Sequence, residues 1–314
     1  MKIAMIGSGA AGSVFACYLN KGGAELTLVD RYKAHMDKCS ECGMTFVSPS
    51  GTEVLTRFKT AYSAENIGVQ DIVILMVKAT QTDGIFPSLM PCIGPETVVV
   101  SLQNGLGNDE TLQKYVPAER ILYGFGTIGT ELPEPGKCVS KPESGVIMRF
   151  GAVKPSDASV KVGEYLEACF NRGGCKTVFE SDIRPFVWKK AISNSGYNTI
   201  SSLTRLKVGE FLSGDDGCEL IKSVWKEGCE VCFAATGVDL WSEMLDELPR
   251  LKDGFASYYP SMAQDVLIHH RQTEVDLLNG AIVKYGKRLG VATPVNEAFT
   301  RLIHCIQCNY DIQY

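Results

Sequence analysis

Lys190, Asn194 and Asn198 stand four residues apart within PFVWKKAISNSGYN, residues 185–198. The stretch reads as a helix, with Pro185 tolerated in its first turn. An advance of about 100° per residue puts the three polar side chains on one face. Ile183, Phe186, Val187, Ala191 and Tyr197 fall on that same side. A lysine and two amides therefore point with the apolar residues. Desolvating a lone ammonium is costly, and partial burial makes a lysine a better acid near neutral pH. The stripe reads as the wall of a reactive site. The plainer reading is that Lys190 snorkels to water while the amides pair with backbone. Lys189 points to the solvated side.

Near the N-terminus the residue types suit phosphate. Gly7-Ser8-Gly9-Ala10-Ala11-Gly12 follows the apolar run KIAMI and leads into a helix through about Lys21; ELTLVD then reads as a second strand. GxGxxG alone is weak, but strand, glycine turn, helix and strand form the context in which it binds a dinucleotide. Gly7 permits the turn, Gly9 lets the backbone approach a pyrophosphate, and Gly12 lets helix and strand pack closely. The helix N-terminus adds free N–H groups and a positive dipole end. The bland alternative is a glycine loop that serves only the turn. Asp30 lies eighteen residues beyond Gly12, where a carboxylate bonds the ribose hydroxyls of NAD. Arg31 follows and Lys33 is close, and a guanidinium there suits the extra phosphate of NADP. The two signals oppose each other.

These groups need a scaffold. MTFVSPSGTEVL reads as a hairpin, and DIVILMV (71–77) and TVVVSL (97–102) as buried parallel strands. RILYGFGTIGTEL, GKCVSK and GVIMRFG look like sheet divided by Gly and Pro turns. VKATQ sets Lys78 and Gln81 just past one apolar strand, and SLQNGLG sets Asn104 past the next, at the carboxyl edge where such sheets bind ligands. After KTVFE the pattern turns helical, with helices expected over 183–197, 216–235, 274–288 and 295–309. The expected architecture is α/β plus all-α. A Rossmann-like dinucleotide-binding domain over 1–180 precedes a helical substrate and catalytic domain over 181–314, with a cleft between them.

Composition narrows the function. A net charge of −5, with 45% hydrophobic and 21% charged residues, is ordinary for a soluble globular chain. No block of five or six like charges points to nucleic acid or a polybasic membrane patch. No uncharged apolar run reaches the roughly 18 residues of a membrane span. Lys2 and the apolar stretch after it resemble a secretory signal, but the glycine spacing and the direct run into LTLVD favour a folded strand and helix. Twelve cysteines include three CxxC pairs, Cys39/Cys42, Cys229/Cys232 and Cys305/Cys308. The pairs lie far apart, and the last two fall in helical stretches where i, i+3 spacing places small apolar side chains on one face, so no metal is expected. Unpaired cysteines in such number suit a reducing cytoplasm.

A third stretch, SMAQDVLIHHRQTEVDLLNG, holds Ser261, Asp265, Glu274, Asp276 and Asn279. With GSGAAG, the lysine of VKATQ, QNG and WKKAISNSGYN in that order, it makes the chain resemble the ketopantoate reductase (2-dehydropantoate 2-reductase) family over nearly its whole length. The resemblance implies NADPH-dependent reduction of 2-dehydropantoate to pantoate, on the path to pantothenate and coenzyme A. It implies catalytic roles for Lys190 and Glu274, and substrate contacts from Asn194, Asn198, Ser261 and Asn104. It implies a cofactor site of Gly7, Gly9, Ala10, Ala11, Gly12, Arg31, Lys78, Gln81, Asn104 and Glu274. Negative charge would build on the keto oxygen as hydride arrives, and Lys190 would stabilise it and deliver the proton. Glu274 would hydrogen-bond the substrate hydroxyl and balance the lysine's charge. Two departures stand out. Asp30 before the arginine keeps NAD in play, and the spacing from Ser261 to Glu274 is one residue longer than the family form, so an irregularity is expected there.

Two other functions fit parts of the pattern. One is a related reductase of another 2-oxo or imino acid using the same lysine. The other is a dinucleotide-sensing regulator, against which Lys190 and Glu274 argue, since a sensor needs no proton donor. His269 and His270 read as a solvated helix face. The expected partner is a small 2-oxo acid, with neither nucleic acid nor membrane, and a homodimer is left open.

Overall fold

The computed structural model describes residues 1–141, 145–254 and 259–312. Two compact units divide the chain, Met1–Asn104 with Asn108–Ile183, and Gly105–Gly107 with Arg184–Tyr314.

The first unit is α/β. Its strands are β1 (Ile3–Ile6), β2 (Leu26–Val29), β3 (Met44–Val47), β4 (Glu53–Thr56), β5 (Lys59–Ala61), β6 (Gln70–Leu75), β7 (Ile93–Ser101), β8 (Ile121–Gly126), β9 (Thr130–Glu134), β10 (Lys137–Ser140), β11 (Met148–Ala152) and β12 (Thr177–Glu180). Its helices are α1 (Ala10–Lys21), α2 (Lys33–Glu41), α3 (Thr82–Leu89), α4 (Asn108–Leu112) and α5 (Asp157–Gly173). The main sheet runs β12-β11-β8-β7-β6-β1-β2-β5, parallel from β5 through β8 and antiparallel only where β8 meets β11. Strand order reverses at β1, which pairs with β2 on one side and β6 on the other. That is the switch point at which open α/β sheets bind ligands.

The apolar runs form central strands because both faces are covered. Ile3, Met5, Ile72, Ile74, Val98 and Val100 join one core with α1 and α5, while Ala4, Ile6, Val73, Leu75 and Val99 join another with Phe86, Leu89 and Leu112. A second sheet, β4-β3-β10-β9, holds the expected hairpin of β3 and β4. Tyr18 of α1 reaches this sheet through a 2.8 Å hydrogen bond to Ser140.

The second unit is helical: α6 (Arg184–Thr204), α7 (Val208–Phe211), α8 (Asp215–Thr236), α9 (Trp241–Gly254), α10 (Ser261–Leu267), α11 (Asn279–Leu289) and α12 (Pro294–Gln307). α6 and α8 cross closely because each offers a glycine to the other. A Cβ on Gly196 would sit 2.4 Å from Nε1 of Trp225, and one on Gly228 would sit 2.9 Å from Ile192. The N-terminus of α12 is capped by the buried Glu227 carboxylate, which accepts from the backbone N–H groups of Val295 at 2.8 Å and Asn296 at 2.9 Å. The helix expected over 274–288 is divided. A 3-10 turn, Val275–Leu277, is followed by Leu278 at ψ −98°, and α11 begins only at Asn279. The reason is long-range: the carbonyl of Leu277 accepts the N–H of Leu106 at 2.8 Å, so it is not spent in a continuous helix.

Candidate active site

The glycine loop leaves β1 with Gly7 at φ +96°, and a Cβ there would meet the backbone of Val77 at 2.6 Å. One on Gly12 would lie 2.0 Å from the Gly7 carbonyl oxygen, so the helix can fold back on the turn only without a side chain. Gly9 differs: a Cβ there would find no atom within 4 Å. Gly9 is exposed and Ala10 and Ala11 are partly so. The N-terminus of α1 has no side-chain cap and no acid in its first turn. An uncapped helix end behind an open, side-chain-free surface fits an anionic diphosphate.

Beside it, the Asp30 carboxylate accepts the N–H of Ser8 at 2.6 Å and that of Tyr32 at 2.8 Å. The acid at the end of β2 therefore braces the glycine loop. Arg31, Tyr32 and Lys33 are exposed. At the end of β6, Lys78 is half-buried and opens a 3-10 turn closed by the N–H of Gln81 on the Lys78 carbonyl, 2.9 Å. Gln81 is exposed and Asn104 half-buried. Asn104 follows β7, and its carbonyl accepts from the Asn108 amide at 3.1 Å.

The sequence pattern alone assigns Gln103 no role, yet it builds this edge. Its buried amide donates to the Val77 carbonyl at 2.8 Å and to Thr82 at 3.0 Å, and its oxygen accepts from Ser101 at 2.8 Å. One side chain thus ties the carboxyl ends of β6 and β7 together. The QN dipeptide was visible; the strand end it reaches was not.

In the second unit α6 carries Lys190, Asn194 and Asn198 at the spacing that sets them on one face. Lys190 is half-buried and makes no ion pair among the described residues, while Lys189 is tied to Glu243 at 2.6 Å. Asn194 is buried and its oxygen accepts from the Tyr197 hydroxyl. Asn198 is 3% exposed, and its Oδ1 has no donor among the described residues. Ser261 is the exposed first residue of α10, and Glu274, half-buried, opens the 3-10 turn before α11. The irregularity expected between them is present: α10 ends at Leu267, and His270 takes a left-handed φ of 47°. Arg271 there bonds the buried Asp265 carboxylate at 2.6 Å. Gly7, Gly9, Ala10, Ala11, Gly12, Arg31, Lys78, Gln81 and Asn104 thus lie in the first unit, and Lys190, Asn194, Asn198, Ser261 and Glu274 in the second.

Two sequence models, ketopantoate reductase PanE/ApbA and its C-terminal counterpart, match residues 3–153 and 182–307. A 2-dehydropantoate 2-reductase from Streptococcus pyogenes is 28% identical over 314 residues, covering 100% of both chains. Among solved structures, a D-mandelate dehydrogenase with NADH and anilino(oxo)acetate is 26% identical with a TM-score of 0.87, covering 100% of both chains. A 2-dehydropantoate 2-reductase from Geobacter metallireducens is 25% identical with a TM-score of 0.87, covering 97% of this chain and 99% of that one. Matched in both halves, the chain belongs to the ketopantoate reductase PanE/ApbA family.

Proposed function

We propose that this oxidoreductase reduces the keto group of 2-dehydropantoate to the hydroxyl of pantoate with NADPH, in the cytoplasm, and that Lys190 is its general acid. The observation that carries the reading is the face of α6, where a half-buried lysine stands in line with two buried amides in a chain of this family. The dinucleotide, when bound, supplies the hydride. Gly9 and the first N–H groups of α1 take its diphosphate, and Arg31 the phosphate on its ribose. The Lys190 ammonium donates a hydrogen bond to the keto oxygen, stabilises the charge that develops there and gives up the proton that completes the alcohol. Asn194 and Asn198 orient the substrate, Ser261 donates to its carboxylate, and Glu274 accepts from its hydroxyl.

A second reading has its own observation. The Asp30 carboxylate, fixed by Ser8 and Tyr32, stands where a ribose diol bonds well and where a 2′-phosphate is repelled. It favours NADH over NADPH. Initial rates of cofactor oxidation with 2-dehydropantoate, taken with NADPH and NADH in parallel, separate these. Faster turnover with NADPH supports the first reading, and preference for NADH reverses the cofactor. Dinucleotide binding without turnover removes 2-dehydropantoate as substrate and turns the search to other 2-oxo acids, then to a sensor.

A further inference from the structure

Beneath the glycine loop lies a histidine outside the reaction just described. His35, in the first turns of α2, is fully buried. Its Nδ1 accepts the backbone N–H of Gly136 at 2.9 Å, in the turn between β9 and β10. A nitrogen that accepts carries no proton, so the imidazole is neutral with its hydrogen on Nε2. That Nε2 faces the hydroxyls of Ser13 at 3.2 Å and Ser8 at 3.3 Å, and Ser13 in turn donates to the Ser8 carbonyl at 2.9 Å. A trans peptide sets its C=O and N–H on opposite sides. Holding the Ser8 carbonyl inward therefore aims the Gly9 N–H outward, over the open surface at the start of α1. The same ring stacks on Tyr32, with centroids 6.1 Å apart.

We propose that His35 is a positioning residue for the dinucleotide. Its neutral ring, through Ser13 and Ser8, fixes the glycine loop with the Gly9 N–H presented to the diphosphate, and through Tyr32 it holds the ribose-side segment against that loop. This rests on the glycine loop binding a dinucleotide, not on the substrate. A protonated ring would have to surrender the Gly136 bond, since both nitrogens would then donate. Burial lowers the pKa of His35 from 6.5, and the nearby Asp30 charge opposes that in part. The other titratable groups against the ring are the Cys39 thiol, 3.7 Å from Nε2, and Tyr32. With a folded pKa below the unfolded one, the stabilising neutral form is fully present above about pH 6.5 and is lost as pH falls through the lower, folded value.

The test is direct titration of NADPH and NADH by nicotinamide fluorescence, with thermal unfolding of each variant alongside. Gln can place an N–H near the Nε2 position, whereas Asn keeps only an acceptor near Nδ1. H35Q is therefore expected to bind within about threefold of wild type, and H35N and H35L about tenfold more weakly, the worth of one or two hydrogen bonds. Wild-type affinity for NADH is expected to fall only as pH drops through the folded value of His35, which burial sets below 6.5, and that of H35Q to hold. Equal affinity of folded H35L and wild type would overturn the proposal. So would a parallel acid loss in wild type and H35Q, an arm that stands even if H35N and H35L fail to fold. Wild type that binds neither dinucleotide overturns both this and the cofactor reading, whereas binding without turnover overturns only the substrate.

Discussion

At the scale of single residues, the two adjacent lysines of α6 make an internal comparison. Lys189 is committed to Glu243, and Lys190 to no carboxylate among the described residues. If Lys190 is the general acid, K190A should lower kcat by about 10²- to 10⁴-fold, the usual worth of a positioned proton donor. Dinucleotide affinity should be unchanged. K189A removes a partly exposed ion pair worth about 0–1 kcal/mol and should keep near-normal kcat. Steady-state rates with a cofactor titration separate these outcomes, and equal losses in both variants would remove Lys190 from the chemistry. Arg31 invites a similar comparison. R31A should raise KM for NADPH by roughly tenfold or more and leave KM for NADH nearly unchanged, because a charged hydrogen bond to the 2′-phosphate is worth about 1.5–3 kcal/mol. An unchanged ratio of the two KM values would show that the guanidinium does not select the cofactor. The conflict between Asp30 and Arg31 was legible in the sequence. What was not legible is that Asp30 also braces Ser8, because that bond spans twenty-two positions.

At the scale of elements, α6 positions the lysine and its amides only if it can lie close to α8. Gly196 makes that approach possible, since a Cβ there would press on the Trp225 indole. G196A is therefore expected to cost about 1–3 kcal/mol by overpacking. The expected reading is a lower midpoint in thermal or urea unfolding, with kcat reduced as the helix shifts. An unaltered midpoint would show that α8 yields without cost. The glycine loop, α1, the buried strands and the helix containing Lys190 were readable because short-range rules dictate them: period, turn chemistry and close packing at Gly12. The helix expected over 274–288 failed for the opposite reason, the bond from Leu106 to Leu277. RILYGFGTIGTEL held two strands, but its letters did not say that β8 joins the main sheet and β9 the small one. Helix α5 has no strong start signal in the sequence. Its capping box is Ser156 with Ser159 in place of the usual acid or amide partner, a weaker signal in sequence though complete in space.

At the scale of the whole molecule, the cysteines report how burial is distributed. All twelve are free thiols; Cys42, Cys305 and Cys308 are exposed, Cys218 is intermediate, and the others are buried. The CxxC pairs thus divide. Cys229 and Cys232 pack inside the helical unit, as their spacing suggested, whereas Cys305 and Cys308 lie in the open at the end of α12. Only the thiolate attacks an aromatic disulfide reagent, so burial protects twice, by access and by ionisation. It pushes Cys39, Cys175 and Cys229 up to about 12, and Cys92 and Cys232 to about 11. At pH 8 a thiol near 12 is about one part in ten thousand ionised. The native protein should therefore release three equivalents of colour quickly and a fourth, from Cys218, more slowly. The remaining eight should follow only with denaturant, at a rate set by local opening. These eight lie in both units, so a single denaturant midpoint for their release would mean that the α/β and helical cores open together, and two midpoints that each core fails alone. Rapid reaction of many more than three in native buffer would contradict the packing around Cys39, whose thiol lies against the buried His35 ring.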